Sequence, residues 1–222
     1  MPLVDIEISI NGTVLPSDVV AFLREADLRV NEFVRNNPIR GNGFVPSDFE
    51  TVYHALRAIT EANLAAGTSL CEWGSGFGVV ASLAAMLGFE VCGIEIERGL
   101  VDASRRLADD YGVAVEFVHG SFIPPGGEAY ADKAYSESGA EFSWIATDAD
   151  HAYDELGLEP DDFDLVFAYP WPGEELLIEN LFERFAAEGA LLLIYGQFDS
   201  VFLRRKVSQR FRCFPRGGRK VG

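Results

Sequence analysis

The sequence predicts an α/β fold: a mostly parallel sheet with helices on both faces, entered through an N-terminal hairpin and a helical extension. Three observations predict it. Short apolar runs suited to buried strands recur at 69–73, 89–94, 113–118, 164–168 and 190–195, with helix-like stretches or long connections between them. A glycine-rich turn, Glu72-Trp73-Gly74-Ser75-Gly76-Phe77-Gly78, joins the first run to a helical stretch at 79–87. The second run ends in a carboxylate, Glu95. That is where a neighbouring parallel strand presents an acid to the hydroxyls of a ribose.

The elements follow in order. Val4, Ile6, Ile8 and Ile10 alternate with Asp5, Glu7 and Ser9, the period of a half-buried strand, and Asn11-Gly12 predicts a tight turn back into 13–15. Ser17 is placed to cap a helix to about residue 34, whose apolar stripe includes Val19, Leu23, Ala26, Val30 and Phe33. Ser47-Asp48-Phe49-Glu50 has the pattern of a capping box opening a helix to about residue 63. Residues 1–66 thus form an extension ahead of a core at 67–222. Within the extension, 43–47 reads either as a lid over the site, with Phe44 and Ser47 as contacts, or as an ordinary connection.

In the core, the glycines let the backbone turn sharply and approach a ligand, while the helix behind them points its free N–H groups the same way. Residues 98–110 read as an amphipathic helix, followed by the third strand and His119-Gly120-Ser121-Phe122. An acidic insertion at 123–162, longer than an ordinary connection, is expected to hold helices near 129–136 and 148–156. The fourth strand exits into Tyr169-Pro170-Trp171-Pro172-Gly173, a loop fixed by its prolines. A helix at 174–187 and an all-apolar strand at 190–195 complete the parallel part. Ser200 is expected to cap a short helix to 207, and 211–214 to form a last strand.

The composition narrows the function classes. Hydrophobic residues make up 48% of the 222, enough for a sizeable core. No apolar run approaches the roughly 18 residues of a membrane span, and the start lacks a secretory pattern, so a cytoplasmic protein without membrane contact is expected. Cys71, Cys92 and Cys213 are unpatterned, which predicts reduced thiols and no metal site. His54 reads as structural, and His119 and His151 as weak base candidates. The formal net charge is −17, yet from Ser200 onward there are eight basic residues and no acidic one. An acidic body repels phosphate, so nucleic acid is an unfavourable partner. The basic end is expected to pack on its own acidic body or on a sister subunit, which leaves a homodimer open.

Glu-x-Gly-x-Gly-x-Gly at 72–78, Gly-Ile-Glu at 93–95 and the helix opening Arg98-Gly99-Leu100-Val101 resemble the class I methyltransferases that use S-adenosylmethionine. The resemblance implies their Rossmann-like sheet and methyl transfer to an acceptor, a protein side chain or a small molecule. It implies that Gly74, Ser75, Gly76 and Gly78 form the turn under the cofactor, Glu72 lies near its amino group, and Glu95 with Ile96 holds its ribose. Ser121 and Phe122 stand where the adenine binds, Ser121 replacing the usual acid. Ala168 borders the cofactor. Tyr169 and Trp171 stand in the loop that faces the methyl group, where amino-directed relatives carry Asn or Asp, so backbone carbonyls and aromatic faces are left to hold an acceptor. Gly-Phe-Glu-Val-Cys-Gly-Ile-Glu and the upstream Val-Pro-Ser also resemble protein-lysine methyltransferases of this fold. Two other readings remain at this point: a nicotinamide oxidoreductase, whose G-x-G-x-x-G would want a small residue at Val79, and a partner protein that binds S-adenosylmethionine without catalysis.

Overall fold

The structure, a computed structural model, describes residues 2–36, 45–138 and 152–208. The strands are β1 (Leu3–Asp5), β2 (Ser69–Trp73), β3 (Glu90–Glu95), β4 (Val115–His119), β5 (Leu165–Ala168), β6 (Leu191–Tyr195) and β7 (Val201–Lys206). The α-helices are α1 (Ser17–Asn36), α2 (Phe49–Glu61), α3 (Val79–Met86), α4 (Arg98–Tyr111), α5 (Glu128–Ser138), α6 (Ala152–Leu156) and α7 (Glu175–Phe185). They build a seven-stranded sheet in the order β1-β7-β6-β5-β2-β3-β4. The five strands from β6 to β4 are parallel, and β7 and β1 are antiparallel to their neighbours.

Both faces of β2, β3, β5 and β6 are buried, which is why they read as nearly continuous apolar runs. Cys71, Trp73, Val166, Leu192 and Ile194 point to one side, against Tyr153 of α6 and Ile178, Leu181 and Phe182 of α7. Leu70, Leu165, Phe167, Leu191 and Leu193 point to the other, against Val52, Leu56 and Ile59 of α2 and Val80, Ala81 and Ala84 of α3. α1 forms an outer layer, its Phe22, Ala26 and Val30 packing with Leu83 of α3 and Leu100 and Leu107 of α4. The helices of the extension therefore share their hydrophobic contacts with the core. Cys71 and Cys92 are buried and free, and burial pushes both thiols up, Cys92 to about 11, as suits small core residues. Among the described residues no helix is long and apolar enough to cross a membrane, and no group of His, Cys, Asp and Glu could hold a metal ion.

Three expectations are corrected. The N-terminal strand does not fold back on 13–15: β1 pairs with β7, Val4 opposite Arg205, so the start of the chain completes the sheet edge instead of forming a hairpin. Residues 201–206 are a strand, not a helix, because the backbone of β6 accepts them in register from Tyr195 opposite Val201 to Leu191 opposite Arg205. The α2 cap is Asp48, one residue later than Ser47, accepting from Thr51 N–H at 2.8 Å. Three of the eight basic residues near the end lie on β7 and pack on the body. Arg204 is paired with Asp5 and Glu179, Arg205 donates to the Leu64 carbonyl at 2.7 Å, and the buried Lys206 ammonium donates to the Ala186 carbonyl at the end of α7. Phe44, His151, Cys213 and the strand expected at 211–214 lie outside the described residues.

Candidate functional site

The chain builds β2, β3 and β4 outward in one direction, then returns to place β5 and β6 on the other side of β2. Strand order reverses between β2 and β5, and the crevice outside their carboxyl ends is where ligands bind in such sheets. The glycine turn leaves β2 there. Gly74, Gly76 and Gly78 all take left-handed φ, at 74°, 53° and 67°. The Gly74 and Ser75 N–H groups both donate to the Ile94 carbonyl at 2.9 Å, which ties the turn to the end of β3.

The glycines do different work. A Cβ on Gly74 would meet nothing within 4 Å, so that position is open toward the crevice. A Cβ on Gly78 would fall 2.4 Å from the Phe117 ring, and one on Gly93, the first residue of the Gly-Ile-Glu motif, 2.7 Å from the same ring. What requires glycine at 78 and 93 is therefore the close approach of Phe117 from β4. Gly74→Ala is expected to cost only the left-handed penalty of about 1–2 kcal/mol. Gly78→Ala should cost that and a further 1–3 kcal/mol or so for overpacking. Equilibrium urea unfolding of the two variants checks the difference; equal losses would contradict the packing assignment.

Two carboxylates flank the turn. Glu72, 4% exposed, accepts from Ala81 N–H at 2.8 Å, in the first turn of α3. Burial holds it well above the usual carboxylate range, the Ala81 bond opposes this, and the charge of Glu95 adds to it. Glu95 is also buried; one oxygen accepts from Gly76 N–H and the other from Glu97 N–H, both at 2.8 Å. Its carboxyl is raised by burial and pulled back by the N–H groups of Glu97, Gly76 and Ile96. Glu95 thus closes the glycine turn itself.

Glu72, Gly74, Ser75 and Tyr169 line a cleft with Val45 and Ser47 from the segment ahead of α2. The Ser75 hydroxyl, also buried, has no hydrogen-bond partner among the described residues. Ser121 accepts from Ile123 N–H at 3.2 Å, and the Phe122 ring stacks on Trp73 with centroids 5.5 Å apart. Ala168 is buried at the end of β5. Beyond it Tyr169 meets the Tyr195 ring edge-on at 4.9 Å. The exit loop closes on Glu174: Trp171 N–H donates to its carboxylate at 3.0 Å, and Glu174 N–H donates back to the Trp171 carbonyl at 2.9 Å. Trp171 is half-buried. The structure brings Tyr169 to the cleft beside Glu72 and the turn, and holds Trp171 further along the same loop. His54 is buried in α2, 3.6 Å from Glu50, and His119 lies 3.4 Å from Arg98 at the end of β4; neither lines the cleft.

Among solved structures the chain is similar to a methyltransferase from Geobacter sulfurreducens, at 16% identity and a TM-score of 0.50, over 88% of this chain and 98% of that one. The chain has the class I methyltransferase fold. An RNA methyltransferase from Salinibacter ruber in complex with S-adenosyl-L-homocysteine matches at 18% identity and a TM-score of 0.49, over 78% of this chain and 97% of that one. No family model and no curated protein matches the sequence. Two site features went unseen in the sequence: Glu174, which reads as one more acid in a surface helix, and the Tyr195–Asp199 hydrogen bond, which depends on two successive left-handed residues at Phe198 and Asp199.

Proposed function

We propose that the chain is a methyltransferase that takes its methyl group from S-adenosylmethionine. The observation that carries the reading is the pair of buried carboxylates, Glu72 and Glu95, on the glycine turn. In a dinucleotide enzyme the first N–H groups of the helix behind such a turn receive a pyrophosphate. Here Glu72 already occupies the Ala81 N–H of α3, so a phosphate would meet a carboxylate. Two buried acids favour a ligand carrying positive charge, and the amino and sulfonium groups of S-adenosylmethionine provide it. The unpartnered Ser75 hydroxyl and the open space above Gly74 fit a ligand laid across the turn.

In this reading Glu72 takes the amino group, and Gly74, Ser75, Gly76 and Gly78 shape the turn. Glu95 with Ile96 holds the ribose, Ser121 and Phe122 border the adenine, and Ala168 borders the methyl end. Bound there, the cofactor supplies an electrophilic methyl group. The protein's part is to position the acceptor in line with it and to exclude water, the task of Tyr169 and Trp171 on the β5 exit loop. The acceptor is a protein side chain or a small molecule. Calorimetric titration with S-adenosylmethionine, S-adenosylhomocysteine and NAD tests the reading. Heat from the first two and none from NAD is expected; heat from NAD alone would overturn it.

A further inference from the structure

The β5 exit loop lacks the side-chain amide or carboxylate that would hold an acceptor nitrogen, but the structure brings a carboxylate to the same end of the sheet from the next strand. Tyr195 ends β6, and its ring meets Tyr169 of the cleft edge-on. Its hydroxyl donates to Asp199 Oδ1. Asp199 is exposed and sits at a φ of 55°, after Phe198 at 59°. Two consecutive left-handed residues that are not glycine are strained, and such strain collects at functional sites. Phe198 is 97% exposed, so burial of its own ring is not what the strain secures. Phe202, half exposed, lies over Gly196 in the same turn, adding a second accessible ring.

We propose that Asp199, held in place by Tyr195, is the recognition carboxylate for a cationic amine carried on an apolar chain, with Phe198 covering that chain at the rim of the cleft. The substrate class is thus an alkyl- or arylalkylamine, free or as part of a larger molecule; the acidic chain, with a formal net charge of −17, attracts such a cation from a distance. The assignment rests on the methyl-transfer reading for the chemistry that follows. The bound ammonium gives one proton to solvent and its nitrogen lone pair forms the new N–C bond. The C–S bond of the sulfonium breaks with its electron pair left on sulfur, yielding a methylammonium ion and a neutral thioether. Positive charge moves from sulfur to nitrogen, so a carboxylate beside the nitrogen favours the transfer.

Ligand-observed NMR with phenylbutylamine, phenylbutanol and phenylbutyrate at millimolar concentration, on the protein with and without S-adenosylhomocysteine, tests the proposal. The amine should bind about tenfold or more tightly than the alcohol, and the carboxylate not at all. Asp199→Asn, which keeps the acceptor for Tyr195 and tolerates left-handed backbone, should remove the preference for the amine. Phe198→Asn should weaken amine and alcohol alike without lowering the Tm. No binding of the amine, equal binding of the three probes, or an unchanged preference in Asp199→Asn would each overturn the proposal. Failure of the protein to bind S-adenosylhomocysteine while the amine preference holds would sink the methyl-transfer reading and leave the cation site standing.

Discussion

Replacing Glu72 by Gln is expected to make the ligand-free protein more stable and a poorer binder of S-adenosylhomocysteine at the same time. The carboxyl is buried, has one backbone donor in Ala81, and faces the charge of Glu95. Its proton is held more tightly in the folded chain than in the unfolded one. The stability this contributes is fully present below the ordinary value of 4.5 and is lost as pH rises through the folded-state value. A glutamine is neutral throughout and keeps an oxygen for Ala81, giving up only the favourable meeting of a negative charge with the start of α3. Near and below pH 4.5 the two proteins should therefore unfold alike, and at higher pH Glu72→Gln should gain about 1–2 kcal/mol. At this chain length each kcal/mol raises the Tm by about 2–4 °C. If Glu72 takes the cofactor's amino group, the loss of a charged hydrogen bond costs about 1.5–3 kcal/mol, roughly ten- to a hundredfold in Kd. Thermal melts across pH and calorimetric titration read the two effects separately. A destabilised variant with unchanged affinity would make Glu72 only the cap of α3.

The parts of this fold that were legible in the sequence are those whose signal is local. Each inner parallel strand is buried on both faces and so is a mostly apolar run, and the glycine turn and Glu95 stand at fixed distances within one βαβ unit. The sheet edge was not legible. Leu3 lies opposite Lys206, a pairing across nearly the whole chain, and Asn11-Gly12 supplied a local turn signal that the long-range pairing overrides. Residues 201–206 hide their strand because alternation fails: Lys206 is buried through its contact with the Ala186 carbonyl, and Phe202 is half exposed. In the site, the residue types were readable but not all of their work. Gly78 looks like a ligand glycine in a motif, yet the Phe117 ring occupies the space beside it. Ser121 stands where an adenine acceptor is expected, but its oxygen already accepts from Ile123. Asp199 gave no signal, since nothing in Gln-Phe-Asp-Ser announces two left-handed residues.

Glu95→Ala is expected to have the largest combined effect, because in the proposed function one carboxylate both shapes the turn and meets the ligand. Removing it leaves the N–H groups of Gly76 and Glu97 without their acceptor. Gly76 is buried, and a buried donor left unsatisfied costs about 1–3 kcal/mol, partly offset because the carboxyl itself is buried at a cost. A looser turn would weaken binding even if Glu95 never touched the ribose, so a lower affinity alone decides nothing. The two causes separate when the ligand is changed as well as the protein. With S-adenosylhomocysteine, Glu95→Ala should lose about ten- to a hundredfold in affinity. With an analogue whose ribose lacks both hydroxyls, the contact is already missing, so the same substitution should cost only what the turn contributes. The difference between the two losses is the coupling of Glu95 to the ribose, and a direct contact predicts at least about 1 kcal/mol. Equal losses with both ligands would assign Glu95 to the glycine turn alone and require another group, on the rim of β3 or β4, to hold the ribose.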